Sequence, residues 1–207
     1  MEINKSSGQA SRLLLVLAIV VLVAVVIVFL VMRMAEKPQG PVVPPTTTIP
    51  LPVYEQILDN IRFVFESAID KGGVLKASDA INSQYTLSSQ QDLPISNSGA
   101  KFIQVIIGAQ NVGTENTAQN AWDIDNIVDS QNREFVPLDQ YAVNPWLPNP
   151  DLCGVLLKPA FNPTPCMKIY EVSKESTGLK IRVKAAKNNQ STSSGKADSA
   201  LIDLIVK

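Results

Sequence analysis

The chain has 207 residues, with 18 basic against 19 acidic side chains, no histidine and two cysteines, Cys153 and Cys166. This balance offers no basic field for nucleic acid, and the missing imidazole excludes histidine-based triads and most neutral-pH proton shuttles. Two cysteines alone supply too few ligands for zinc, so neither a metal nor another cofactor is expected.

From Leu13 to Met32 twenty consecutive residues lack a polar side chain, and seventeen of them are Leu, Ile, Val or Phe. A helix of that length, at about 1.5 Å per residue, measures roughly 30 Å and matches the hydrocarbon core of a bilayer. At about −0.3 to −0.6 kcal/mol per residue, insertion is favourable by roughly 5 to 10 kcal/mol. Residues 13–32 are therefore predicted to form an uncleaved transmembrane signal anchor, with the lipid bilayer as partner. The run exceeds the apolar region of a secretory signal, and Arg33, two positions before Ala35, spoils a small-x-small cleavage site. No cysteine stands beside it to carry lipid.

Lys5 and Arg12 before the anchor nearly balance Arg33 and Lys37 after it, so charge alone leaves the orientation close to a tie. The shortness of the 1–12 tail, the stalk that follows and the late cysteines favour a cytoplasmic amino terminus. The large domain then lies outside a single-pass cell membrane protein. Pro38 to Pro52 contains six prolines and the run Thr46, Thr47, Thr48. Such a composition stays extended at about 3.1 Å per residue, making residues 33–52 a stalk whose threonines are candidate O-glycosylation sites. Residues 53–207 suit one domain.

Within that domain, Tyr54, Ile57, Leu58, Ile61, Val64, Phe65 and Ile69 have helical spacing, with Gly72-Gly73 as a stop, while Ile61, Phe63 and Phe65 alternate after an Asp59-Asn60 turn. Periodicity alone leaves helix and strand open over 54–70. Residues 77–98, rich in Ser and Gln, are expected to be a long loop or insertion. From Lys101 onward short β-branched runs are punctuated by Asn, Gly, Pro and Asp, the pattern of an antiparallel sandwich. Phe102 to Ile107 is one run, closed by Asn111-Val112-Gly113, where Gly113 is expected to supply turn geometry. Ala121 to Asp129 and Glu134 to Val136 pair about a polar turn at Asp129 to Arg133. Later strands are predicted around Met167 to Val172, over Leu179 to Ala185, and from Ala200 to Val206.

Gly99 to Gly113 reads G-x-x-F-x-x-V-x-I-x-x-x-N-x-G, which resembles the opening of a prokaryotic Ig-like domain of unknown function, the DUF four-three-five-two type. Asp125 to Pro137 resembles that family's hairpin. Leu157-Lys158-Pro159-Ala160, Tyr170-Glu171-Val172 and Leu179-Lys180-Ile181 are similar to its Pro-Gly corner and last strands, with Ala160 where the family usually has glycine. The resemblance implies an immunoglobulin-like antiparallel β-sandwich, all-β, behind a membrane anchor, with a first strand over Ile61 to Ile69. It brings no reaction and no catalytic residues.

With the domain outside the cell, Cys153 and Cys166 are expected to form a disulfide, worth about 3 kcal/mol for a loop of about 14 residues. Two buried free thiols would accompany the opposite orientation. Asp123, Asp125 and Asp129 are read as a solvated outer face, since no calcium-loop pattern completes them. Ser193-Ser194-Gly195-Lys196 lacks the rest of a phosphate loop, and Asn189 heads an N-glycosylation sequon in the same loop.

The candidate binding surface has two parts. Tyr141, Trp146 and Leu147 lie in a proline-stiffened loop, 141–150, able to present an apolar anchor at low entropy cost, though Trp146 folding over the sandwich end is the bland alternative. Lys180, Arg182 and Lys184 form a basic stripe, which either meets an anionic partner or faces acids on a neighbouring strand. The function expected is a monomeric, non-enzymatic binding module for an envelope protein or glycan. A structural subunit held mainly by its transmembrane helix is the alternative, and an envelope hydrolase the third.

Overall fold

The computed structural model describes residues 21–23, 25–27, 51–82, 91–186, 192 and 197–207. The chain divides into two compact units, Met1–Pro50 and Leu51–Lys207. In the first, Val21 to Val23 and Val25 to Ile27 are helical with exposed apolar side chains. Most of the anchor expected at 13–32 lies outside the described residues, as do Thr46, Thr47, Thr48, Asn189 and the Ser193 to Lys196 motif. Among the described residues, no helix is long and apolar enough to cross a membrane.

The second unit is an antiparallel β-sandwich. Its strands are β1 (Glu55–Leu58), β2 (Ile61–Gly72), β3 (Val74–Leu75), β4 (Leu93–Pro94), β5 (Ala100–Asn111), β6 (Trp122–Val128), β7 (Glu134–Phe135), β8 (Thr164–Ser173), β9 (Lys180–Ala186) and β10 (Ala197–Asp203). One four-stranded sheet runs β1-β2-β5-β8 and the other β10-β9-β6-β7, while β3 and β4 pair separately. Strand wins over helix at 54–70 because Asp59 turns the chain at φ 51° and sets Leu58 opposite Ile61. Ile61 and Phe63 then alternate inward, and β2 gains a full-length partner in β5.

Ile61, Phe63, Ile103, Val105, Ile107, Tyr170 and Val172 meet Trp122, Ile124, Ile127, Ile181, Val183 and Ile202 between the sheets. Phe63 and Trp122 stack edge to face with centroids 6.3 Å apart. Tyr170 spends its hydroxyl on the Asp125 carbonyl at 2.7 Å. Burial, and the nearby Asp123 and Asp125 carboxylates, push that phenol well above its ordinary pKa.

β5 is buried along most of both faces, which explains why its run from Phe102 to Ile107 is apolar at every position but Gln104. Its other face carries a second core in which Phe102 and Ile169 meet Leu75, Val143, Trp146 and Leu147. Residues 77–98 contribute a short 3-10 turn, Ala77–Asp79, and β4, so part of the expected loop is structured. Residues 83–90 lie outside the described residues.

The two sheets are also stitched along both margins. On one side the Asp203 amide donates to the Val53 carbonyl at 2.8 Å, and Val206 bridges Ala68 in parallel. On the other, Pro137 bridges Tyr170 and the Leu138 amide donates to the Ile169 carbonyl at 2.8 Å. These crossings occupy backbone groups that an open margin would offer to another chain.

Four details correct the expectations. The last strand begins earlier, at Ala197, and ends at Asp203; Val206 then belongs to the opposite sheet. Gly113 is not among the positive-φ residues; an added Cβ there would stand 3.0 Å from Asn60, so close approach is what it serves. Ala160 adopts φ 63°, the left-handed conformation that glycine would take without strain. Asp129 is not solvated: its side chain has 0% exposure and organises the β6–β7 turn.

Burial alone would raise the Asp129 carboxyl, but the amides of Arg133 and Gln131, the Arg133 guanidinium and the Ser176 hydroxyl all donate to it. Together they hold its pKa at about 2. Asn132, at φ 60°, completes the turn.

Candidate functional site

The loop from Leu138 to Leu157 covers the outer face of β5 and β8, and local chemistry fixes its path. The Asp139 carboxylate caps a one-turn helix, Gln140–Val143, accepting from the Tyr141 amide at 2.8 Å and the Ala142 amide at 3.3 Å. A 3-10 turn, Asn144–Trp146, follows, and the Ile81 and Asn82 amides donate to the Pro145 carbonyl at 3.0 and 3.1 Å. The Trp146 indole N–H donates to the Lys76 carbonyl at 2.7 Å.

At the far end of the loop the chain turns on Asp151, whose carboxylate accepts from the Cys153 amide at 2.9 Å. Cys153 is bonded to Cys166 of β8 with an S–S distance of 2.01 Å, as expected. The bridge ties the loop to β8, and the segment that follows the loop meets β5 where Pro159 bridges Asn111. Gly154 has φ 71°, and a Cβ there would lie 3.3 Å from the Trp122 carbonyl, so both conformation and space require glycine.

Two chambers open between this loop and the sandwich. The polar one, about 350 Å³, is walled by Asn120, Trp122, Asp123, Cys153 and Thr192. The apolar one, about 140 Å³, is walled by Leu138, Val143, Leu147, Met167 and Ile169. Gln140, Asp151 and Lys168 line both, so the chambers form one two-part groove. The Gln140 side-chain amide donates to the Asp151 carboxylate at 3.2 Å across that divide. Lys168 donates to the Asp123 carboxylate at 2.8 Å and to the Ile124 carbonyl at 2.6 Å.

A carboxylate oxygen of Asp123 and the sulfurs of Cys153 and Cys166 lie within 4.8 Å of one another. Joined as a disulfide, the sulfurs have no thiolate charge to offer a cation. A second polar cavity, about 310 Å³, lies near Asp59, Asn60, Thr114 and Glu115. Its deeper groups are already engaged: the Asn111 amide donates to the Glu115 and Leu157 carbonyls, and the Thr117 hydroxyl accepts from the Leu157 amide.

The predicted surface residues separate sharply. Tyr141 is 90% exposed on the capped helix. Trp146 and Leu147, at 6% and 5%, are buried, so neither projects as an anchor. They cover the outer face of β5 and β8, not the sandwich end, because Phe102 and Ile169 offer an apolar floor there.

Lys180, Arg182 and Lys184 each meet an acid, respectively Asp203 at 2.9 Å, Glu134 at 2.7 Å, and Asp125. Their charge is spent within the fold, and the structure does not bring them to the groove. Sequence reasoning missed Gln140, Asp151, Lys168 and Met167. The Asp-x-Cys spacing at 151–153 was a usable turn signal, and the Phe102 to Ile107 run, apolar at every position but Gln104, signalled a covered outer face.

No protein-family model matches this chain, and no curated protein matches it. Three solved structures are similar to it in part. A candidate lipoprotein from Bacillus subtilis is 12% identical, covering 73% of this chain and 38% of its own, at a TM-score of 0.41. A conserved hypothetical protein from Bacillus anthracis is 16% identical, covering 64% and 87%, at 0.43. An uncharacterized β-sandwich protein from Clostridium difficile is 6% identical, covering 75% and 92%, at 0.38. This chain thus spans well under half of the first of these. All three scores fall below 0.5, so the sandwich architecture rests on the strand pairing of the chain itself.

Proposed function

We propose that the chain is a membrane-tethered, immunoglobulin-like β-sandwich of the prokaryotic cell envelope, of the DUF four-three-five-two type, that binds an envelope partner and catalyses no reaction. The two-part groove beside the disulfide carries this reading. It joins a small apolar chamber to a polar one on a loop held by a helix cap, a buried indole and a covalent bridge. Such a surface loses little entropy on binding. Tyr141, the residue after groove-lining Gln140, supplies a large exposed aromatic of the kind that dominates interface energetics.

The apolar run at residues 13–32 supports the tether, and the disulfide agrees with an oxidising, extracytoplasmic setting. The domain is read as a monomer that approaches neither nucleic acid nor metal. The alternative, a structural subunit whose main contacts are made by residues 13–32, draws on the same run.

Site-directed photo-cross-linking in native membranes separates the two. A photoreactive residue replacing Tyr141 in the full-length chain should trap a discrete adduct, and one replacing Lys180 should not. Equal adducts from both positions, or adducts only from positions within 13–32, would sink the binding-module reading. Protease accessibility of the domain in intact cells and spheroplasts tests the orientation.

A further inference from the structure

We propose that the groove recognises a peptide segment in which a lysine or arginine adjoins an aliphatic residue, the cation entering the polar chamber and the aliphatic side chain the apolar one. This deepens the binding reading above and rests on it.

Charge selects the first half of the ligand. The polar chamber has two carboxylates, Asp123 and Asp151, and one ammonium, Lys168. Lys168 is committed to Asp123 and to the Ile124 carbonyl. Asp151 receives only neutral donors, the Cys153 amide and the Gln140 side chain, and among the described residues no lysine or arginine pairs with it. The chamber therefore holds one uncompensated negative charge. A partly desolvated wall strengthens its attraction for a cation relative to open water.

Shape selects the second half. About 140 Å³ walled by Leu138, Val143, Leu147, Met167 and Ile169 suits one aliphatic side chain, and lies below the usual range for whole small-molecule pockets. Met167 adds an adaptable wall. The ligand must cross the Gln140–Asp151 hydrogen bond to fill both chambers, which a peptide does by placing two side chains on either side of one backbone. An anionic peptide, in contrast, would meet Asp151 unshielded.

The test is a titration of the full-length chain with the acetylated, amidated peptide Gly-Leu-Lys-Leu-Gly, followed by the indole NMR signal of Trp122, which lines the polar chamber. Saturable shifts are expected, with at least tenfold weaker binding when glutamate or norleucine replaces the lysine or serine replaces both leucines. Asp151→Asn, which keeps an oxygen for the Cys153 amide, should weaken the lysine peptide about tenfold. In 0.5 M salt the unaltered protein should bind it about threefold more weakly, a measurement that stands even if the variant does not fold.

Equal binding of the lysine, norleucine and glutamate peptides would overturn the cationic ligand while leaving the groove a binding site. Spermidine binding as tightly as the peptide would overturn it in favour of a small polycation. Failure of every peptide to move the signal would also overturn it, and the Tyr141 cross-link would then decide separately whether the groove binds anything.

Discussion

The two outer faces of the sandwich solve the same problem in opposite ways. On the β10-β9-β6-β7 sheet, Lys180, Arg182 and Lys184 alternate with the buried Ile181, Val183 and Ala185 and close onto acids of neighbouring segments. On the β1-β2-β5-β8 sheet, Phe102 and Ile169 are instead roofed by Trp146, Leu147 and Val143. A face paired in charge is complete in itself and leaves no vacancy for a ligand. A face roofed by a loop leaves gaps where loop and sheet do not mesh, and here those gaps are the groove.

The energetic side of this contrast is open to measurement. Removing the roof should cost most: Trp146→Ala deletes a buried indole and its bond to the Lys76 carbonyl, for about 3–5 kcal/mol in chemical denaturation. A loss below about 1 kcal/mol would mean that the loop is not packed as described. Reducing the disulfide, or replacing both Cys153 and Cys166 by alanine, should cost about 3 kcal/mol, seen as a lower denaturant midpoint.

Asp129 lies at neither face but at the turn beneath the charged one, and its effect is read as a pH dependence. Its carboxyl sits at about 2 in the folded chain against an ordinary value of 3.8, so its contribution is complete above about pH 5. That contribution shrinks as pH falls toward 2 and is gone below it. Asp129→Asn should flatten the stability profile between pH 4 and 2. An unchanged acid limb would show that the buried cluster of donors is not what stabilises the charge.

The charged face should be the tolerant one. Arg182→Ala breaks a pair whose partners are partly exposed, and should cost no more than about 1 kcal/mol. A cost matching that of Trp146→Ala would erase the contrast. The smallest expected effect has the opposite sign. Ala160→Gly should raise stability by about 0.5 kcal/mol, because relief of left-handed strain narrowly exceeds the added freedom of the unfolded chain. A decrease would mean that the Ala160 methyl is worth more in contacts than it costs in strain.

Much of the sandwich was legible because its determinants are local. Alternation of Leu179, Ile181, Val183 and Ala185 with Lys180 and Arg182 marks a half-exposed strand by period alone. Asp129 to Arg133 marks the hairpin turn, and the placing of Cys153 and Cys166 marks the bridge. The Asp129 side chain was misplaced, since nothing local distinguishes a solvated turn carboxylate from one that collects four donors from two segments. Trp146 was misplaced for a related reason: a proline-rich loop with an aromatic reads the same whether its ring projects or folds back.

By itself, then, the sequence determined the antiparallel strands from Lys101 onward, their turns and the pairing of the two cysteines, because side-chain period and turn chemistry act over a few residues; over 54–70 and 77–98 it did not. Only the tertiary structure decided which acids neutralise the basic stripe, where Trp146 is buried, and that Asp123, Asp151 and Lys168 share a groove. Those residues come from three segments far apart in the chain, and their meeting depends on register between sheets and on the loop's path across one of them.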